Sequence, residues 1–219
     1  MSKKDKEKRD EMRTDPDPHQ NRWCALPEPY PGPQVLRPNQ YYAMLLLEDY
    51  AGTNGEMTAI TQYLYHHLTF EAYNDLAELE ECVAIIEMHH LELLGQTIQL
   101  LGVPPEFRTL TNNRANYWNA SYVYYGNNIC DRLAADIAAE KTAIQNYRDH
   151  QYLIGDPNIK QLLERIIKDE EHHLRLFSEA AAKYCPGTCV TSTTNNCFGP
   201  MGSMMGNGFN GMMGGDSGR

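Results

Sequence analysis

The chain has 219 residues, enough for one sizeable hydrophobic core, and its length points to a single domain with tails. Charged residues make up 22% and the formal net charge is -10, so there is no basic excess with which to neutralise phosphates, and nucleic acid is excluded as an expected partner. The longest uninterrupted aliphatic run, Met44 to Leu47, is far short of the roughly 20 apolar residues of a membrane-spanning helix, so no bilayer span is expected.

Residues 1–22 mix both charge signs with Pro16 and Pro18 and hold little that could be buried, which predicts a disordered N-terminus. The same stretch lacks the apolar segment of a secretory signal, so the expected location is intracellular, in the cytoplasm. Residues 23–38 carry Pro27, Pro29, Pro31, Pro33 and Pro38 and cannot propagate a helix, because each proline lacks the amide donor and restricts its predecessor. They predict an extended arm that Trp23 and Tyr30 could pin to a surface.

From residue 39 to 184 apolar residues recur at helical spacing, and punctuation separates four long segments. The first covers about 39–67 with an irregularity at Ala51-Gly52-Thr53-Asn54-Gly55, and the second covers about 73–101 and stops at Gly102 before Pro104-Pro105. A long aromatic connection, 104–127, predicts a packed crossover between the second and third helices. The third helix covers about 128–154, and Asp156-Pro157 supplies an N-cap and an N1 proline for the fourth, which continues to about Tyr184. The fold class is therefore an all-α four-helix bundle. Residues 185–219 hold nine of the sixteen glycines and five of the ten methionines, a composition that cannot build its own core.

Six cysteines in a chain without a signal segment predict reduced thiols, with Cys82 and Cys130 as small buried apolar residues and no paired CxxC unit to hold a structural metal.

The chemistry lies in a repeated pattern. Glu-x-x-His occurs twice, as Glu87-x-x-His90 in the second helix and Glu170-x-x-His173 in the fourth. Three residues apart on a helix, carboxylate and imidazole leave one face and can bind one metal ion. Glu56 lies 31 residues before Glu87, Glu140 lies 30 before Glu170, and each is followed seven residues later by a tyrosine, Tyr63 or Tyr147. The chain thus contains two copies of one helical hairpin around a shared centre, and four carboxylates with two imidazoles form the ligand set of a dinuclear site.

Phase agrees with this assignment. Glu170 and His173 share a stripe with Ile159, Leu163, Ile166, Ile167 and Phe177, and Glu140 lies among Leu133, Ile137, Ile144 and Tyr147. His172 shares its side with Arg165, Lys168, Arg175 and Glu179, so the competing Asp169-x-x-His172 pair is expected to be solvated. Tyr63 and Tyr147 are candidates to hydrogen-bond ligand carboxylates from behind.

On these residues the sequence resembles the ferritin-like superfamily over about 40–184, and within it the manganese catalase and spore-coat catalase-like branch. The carrying motifs are Tyr50-Ala51-Gly52-Thr53-Asn54-Gly55-Glu56-Met57 with Gln62-Tyr63-Leu64, and Glu87-Met88-His89-His90-Leu91-Glu92-Leu93. The second half, Ala139-Glu140-Lys141-Thr142-Ala143-Ile144 with Asp169-Glu170-Glu171-His172-His173-Leu174, is equally similar to rubrerythrins and bacterioferritins. It departs from rubrerythrins in having Ala143 where they carry another glutamate, and in lacking a rubredoxin module.

The resemblance implies a ferritin-like bundle with two metal ions, manganese preferred and iron acceptable, held by Glu56, Glu87, His90, Glu140 and His173, with Glu170 as a further ligand or a carboxylate directly behind one. It implies disproportionation of hydrogen peroxide, a reaction in which Glu170, if it is not tightly ligated, is the carboxylate expected to move protons. The alternatives are a ferroxidase acting with dioxygen, or a structural subunit of a spore coat or other ordered assembly. The tails motivate that last reading and an expectation of a homo-oligomer in which they contact neighbouring subunits.

Overall fold

The computed structural model describes residues 22–70, 72–111 and 114–187. The expected disorder of 1–21, the tail from 188 onward, Cys189 and Cys197 all lie outside the described residues, as do the contacts on which a tail-mediated assembly depends.

Among the described residues five α-helices make four bundle positions: α1 (Gln40–Ala51), α2 (Glu56–Thr69), α3 (Asn74–Leu100), α4 (Ile129–Leu153) and α5 (Pro157–Tyr184). The first expected helix is divided at the irregularity. Gly52 and Gly55 permit the break, because a Cβ at Gly55 would collide with the carbonyl oxygens of Glu48 and Asp49, and one at Gly52 with that of Glu48. The consequence is that Glu56 stands in the first turn of a new helix.

The other boundaries follow the capping residues. Asn128 accepts hydrogen bonds from the amides of Cys130 and Asp131, Asp156 accepts one from Asn158, and Gly102, at φ 90°, turns the chain after α3. Short connections make α2/α3 and α4/α5 antiparallel hairpins. The crossover between them contains an antiparallel two-stranded ribbon absent from the sequence expectation, β1 (Arg108–Thr111) with β2 (Arg114–Tyr117). No described helix is long and apolar enough to cross a membrane.

The buried apolar residues fall into two groups stacked along the bundle. One joins Leu46, Leu47, Leu94, Ile98, Ile144, Ile159, Leu163 and Ile166, and the other joins Tyr63, Leu76, Val83, Leu133, Ile137 and Phe177. Along α3, α4 and α5, the residues between the two groups are Glu87 with His90, Glu140, and Glu170 with His173. The polar layer occupies the waist of the bundle.

The expectation of reduced cysteines is overturned: Cys24 is bonded to Cys82 and Cys130 to Cys185. Antiparallel pairing brings the start of α4 beside the end of α5, which sets Cys130 against Cys185. The first bridge forms because the arm lies across α3, burying Cys24 and Ala25. Trp23 is 59% exposed, and its carbonyl accepts from His172. Tyr30 does anchor the arm, and Leu36 donates its amide to Asp156.

Each bridge closes more than fifty residues, with separations of 58 and 55. Replacing Cys130 and Cys185 with alanine is therefore expected to cost about 2–4 kcal/mol of unfolding free energy. Chemical denaturation of the two forms measures it; equal midpoints would mean that this bridge does not restrain the native chain.

Candidate metal centre

Four helices deliver the six expected residues to one place, each at most 3% exposed. Two groups of ligand atoms form, each within 4.8 Å: Glu56, Glu87, His90 and Glu170, and then Glu87, Glu140, Glu170 and His173. Glu87 and Glu170 belong to both, so the carboxylates of the two Glu-x-x-His motifs are the shared ones, flanked by one outer glutamate and one imidazole on each side.

The imidazoles turn Nδ1 inward. His90 Nδ1 lies 3.0 Å from Glu87 Oε2 and 3.1 Å from Glu170 Oε1; His173 Nδ1 lies 3.0 Å from Glu87 Oε1 and 3.3 Å from Glu170 Oε2. The tyrosines are exchanged between hairpins. Tyr63, on the helix of Glu56, donates to Glu140 at 2.6 Å, and Tyr147, on the helix of Glu140, donates to Glu56. The exchange binds the two copies of the hairpin into one site.

Burial and mutual charge shift the titration of these groups in opposite directions. Burial, then the Glu87 and Glu170 carboxylates, pushes Glu56 well above the usual carboxylate range; burial, then Glu170 and Glu87, does the same to Glu140. Burial opposes ionisation of Glu87 too, but His173 and His90 outweigh it and hold that carboxyl low. Burial would lower His173, yet Glu87 and Glu170 push its imidazole up to about 9; His90 is raised as well. Two divalent ions would balance four carboxylates with neutral imidazoles, so the donor set fits a pair of such ions. Glu87 Oε1, Glu170 Oε1 and His173 Nε2 have no hydrogen-bond partner among the described residues, so the two carboxylate oxygens keep lone pairs available within the layer.

Asp169, expected in solvent, is fully buried, and Arg165 beside it is 5% exposed. The arm explains the difference by covering this side of α5. Asp169 Oδ2 lies 3.3 Å from His90 Nε2 and 2.6 Å from Arg165 Nη1, and it accepts from Tyr30. Arg165 donates to the carbonyls of Glu28 and Leu26, and its guanidinium lies 4.0 Å from the Tyr30 ring centre. Burial alone would raise Asp169, but His90 and Arg165 hold it well below the usual range. A carboxylate on Nε2 fixes the tautomer that leaves Nδ1 free for a cation. Asp169→Asn is expected to weaken metal binding about 10–100-fold, measured by competition with a chelator; unchanged affinity would remove Asp169 from this role. In the sequence Asp169 stood out only as part of the competing Asp169-x-x-His172 pair, and Tyr30 gave no signal for contact with His90.

A cavity of about 240 Å³ reaches the layer from the opposite side. Glu56, Glu87, Glu140 and Glu170 face it; its walls include Thr53, Ala135, Ala139, Ala143 and Tyr122. Asp49 also lines it, and burial pushes that carboxyl up to about 6 despite a 2.7 Å contact with His150.

The bundle and its buried carboxylate–imidazole layer are those of a ferritin-like protein, and residues 51–184 match the Ferritin-like domain family, so the chain belongs to that family. Among its relatives, a "Probable manganese catalase" of Clostridium acetobutylicum is 29% identical over 171 residues, 68% of this chain and 74% of that one. A bacterioferritin of Brucella melitensis is 30% identical over 125 residues, covering 54% of this chain and 71% of its own. The crystal structure of KatB, a manganese catalase from Anabaena, superposes with a TM-score of 0.67 at 27% identity, over 77% of this chain and 85% of that one.

Proposed function

We infer that the protein is a dinuclear metal oxidoreductase that disproportionates hydrogen peroxide, with Glu56, Glu87, His90, Glu140, Glu170 and His173 as ligands of two manganese ions. The observation that carries this reading is the cavity: the four carboxylates line it, and walls that mix alanines with Thr53, Gln62 and Thr142 admit a small polar substrate to them. The similarity to a manganese catalase over most of both chains supports the same choice. Bound redox-active ions would supply and accept the electrons of O–O cleavage.

The chain's own residues do the rest. Glu87 and Glu170 join the two halves of the site; Tyr63 and Tyr147 hold the outer carboxylates in place. Glu170 also lines the cavity and, where one of its oxygens is not held by a metal ion, would accept a proton from peroxide and return it to the departing oxygen. Tyr30, Asp169 and Arg165 close the His90 side against water.

A second reading, oxidation of ferrous iron by dioxygen, is favoured by the bacterioferritin similarity. Metal analysis of the purified protein with an oxygen electrode separates the two. Manganese with rapid oxygen release from peroxide is expected; iron with ferrous oxidation and no gas would overturn the first reading in favour of the second.

A further inference from the structure

Further down the bundle, inside the apolar group around Tyr63 and Phe177, lies a second polar cluster of three residues: His66 on α2, Glu80 on α3 and Asp136 on α4, each 0% exposed. Glu80 stands seven residues before Glu87 and Asp136 four before Glu140, so at 1.5 Å rise per residue the cluster is roughly 6–10 Å along the axis from the centre above.

Its hydrogen bonding is one-sided. His66 Nε2 lies 3.2 Å from the carbonyl oxygen of Tyr124, which can only accept, so Nε2 carries the proton. His66 Nδ1 lies 3.0 Å from Asp136 Oδ1, 3.1 Å from Asp136 Oδ2 and 3.8 Å from Glu80, so with its proton displaced it would offer a lone pair between the two carboxylates. Asp136 is steadied by Gln62, whose amide donates at 2.8 Å while its oxygen accepts from the amide of Tyr124. Glu80 has nothing of the kind: both of its oxygens lack a hydrogen-bond partner among the described residues, although the side chain is wholly buried. A buried carboxylate without donors is costly and demands a counter-charge or a proton. Arg132 supplies part of one, but its Nε is committed to the Gly126 carbonyl at 2.6 Å.

The geometry points to a third metal site, in which His66 Nδ1, Glu80 and Asp136 bind one divalent first-row transition-metal ion. One imidazole and two carboxylates suit manganese, iron or zinc, and three ligand atoms within 4.8 Å can surround one ion at the usual bond lengths of about 2.0–2.2 Å. Tyr124 and Gln62 are the supporting partners that such ligands need, fixing the tautomer of the histidine and the orientation of the aspartate. The ion would tie α2, α3 and α4 together in the lower half of the bundle. This site shares no residue with the dinuclear centre, so either assignment can fail alone.

The test is the number of ions per chain after loading with manganese or zinc and desalting, read by elemental analysis and native mass spectrometry. The full-length protein is expected to hold three and Glu80→Gln, which keeps the dinuclear residues, two. Two in the unaltered protein, or three in Glu80→Gln, would overturn the proposal and leave a proton shared between Glu80 and Asp136. If Glu80→Gln does not fold, crystals of the unaltered protein soaked in manganese decide: an anomalous peak about 2.2 Å from His66 Nδ1 supports the site, and peaks confined to the dinuclear centre refute it.

Discussion

Glu87→Gln is expected to cut peroxide turnover by more than the roughly 10–100-fold typical of residues that only support a metal ligand, and to lower the metal content of the waist layer below two ions. Glu87 belongs to both ligand groups, and its two oxygens face the two imidazoles separately, at 3.0 Å from His90 and 3.0 Å from His173. The amide keeps the shape but removes the charge and replaces one oxygen by a nitrogen that has no lone pair to offer. His90→Ala should be as damaging, by emptying one side. Circular dichroism checks that the bundle persists, and full turnover by folded Glu87→Gln would sink the proposed mechanism.

The second large effect is on stability. Even one ion that binds only the folded chain stabilises it by about 4 kcal/mol at a thousandfold excess over Kd. At roughly 2–4 °C per kcal/mol for a domain of this size, the melting temperature should rise by about 8–16 °C on loading, as read by calorimetry.

The gain should depend on pH, and the sign follows from the protons already in the layer. His173 is raised from 6.5 to about 9, so in metal-free protein it adds stability that is complete below pH 6.5 and lost as pH rises through about 9. Metal binding needs that imidazole bare and needs Glu56 and Glu140 ionised, which burial and like charge oppose. Loaded and chelated protein should therefore differ more at pH 8.5 than at pH 6.5, with protons released on binding. A pH-independent difference would show that these groups are not displaced by the metal.

The bundle and its six central residues were legible in the sequence because both are periodic. A 3.6-residue repeat places Glu87 with His90, and Glu170 with His173, on apolar stripes; the matched intervals back to Glu56 and Glu140 reveal the duplication without any tertiary information. The helix ends at Asn128, Asp156 and Gly102 were equally local, since caps and φ > 0 positions are decided by neighbours in the chain.

Contacts across the bundle were not legible. That Tyr63 would serve Glu140 and Tyr147 would serve Glu56 depends on how one hairpin faces the other. Asp169 and Arg165 lie on a charged flank of α5 that sequence phase assigns to solvent, and only the arm, from about 140 residues earlier in the chain, buries them. The same arm joins Cys24 to Cys82, and the pairing of α4 with α5 joins Cys130 to Cys185. The cluster of His66, Glu80 and Asp136 draws one residue from each of three helices, with no repeated spacing to announce it.

By itself, then, the sequence determined the class of fold and the residues of the waist layer, because periodicity is a property of single helices. Only the tertiary structure decided which side of the layer is sealed by the arm, which side opens to a cavity, and which carboxylates are shared. Those depend on approach between segments far apart in the chain, which burial and hydrogen bonding select only once the helices have packed.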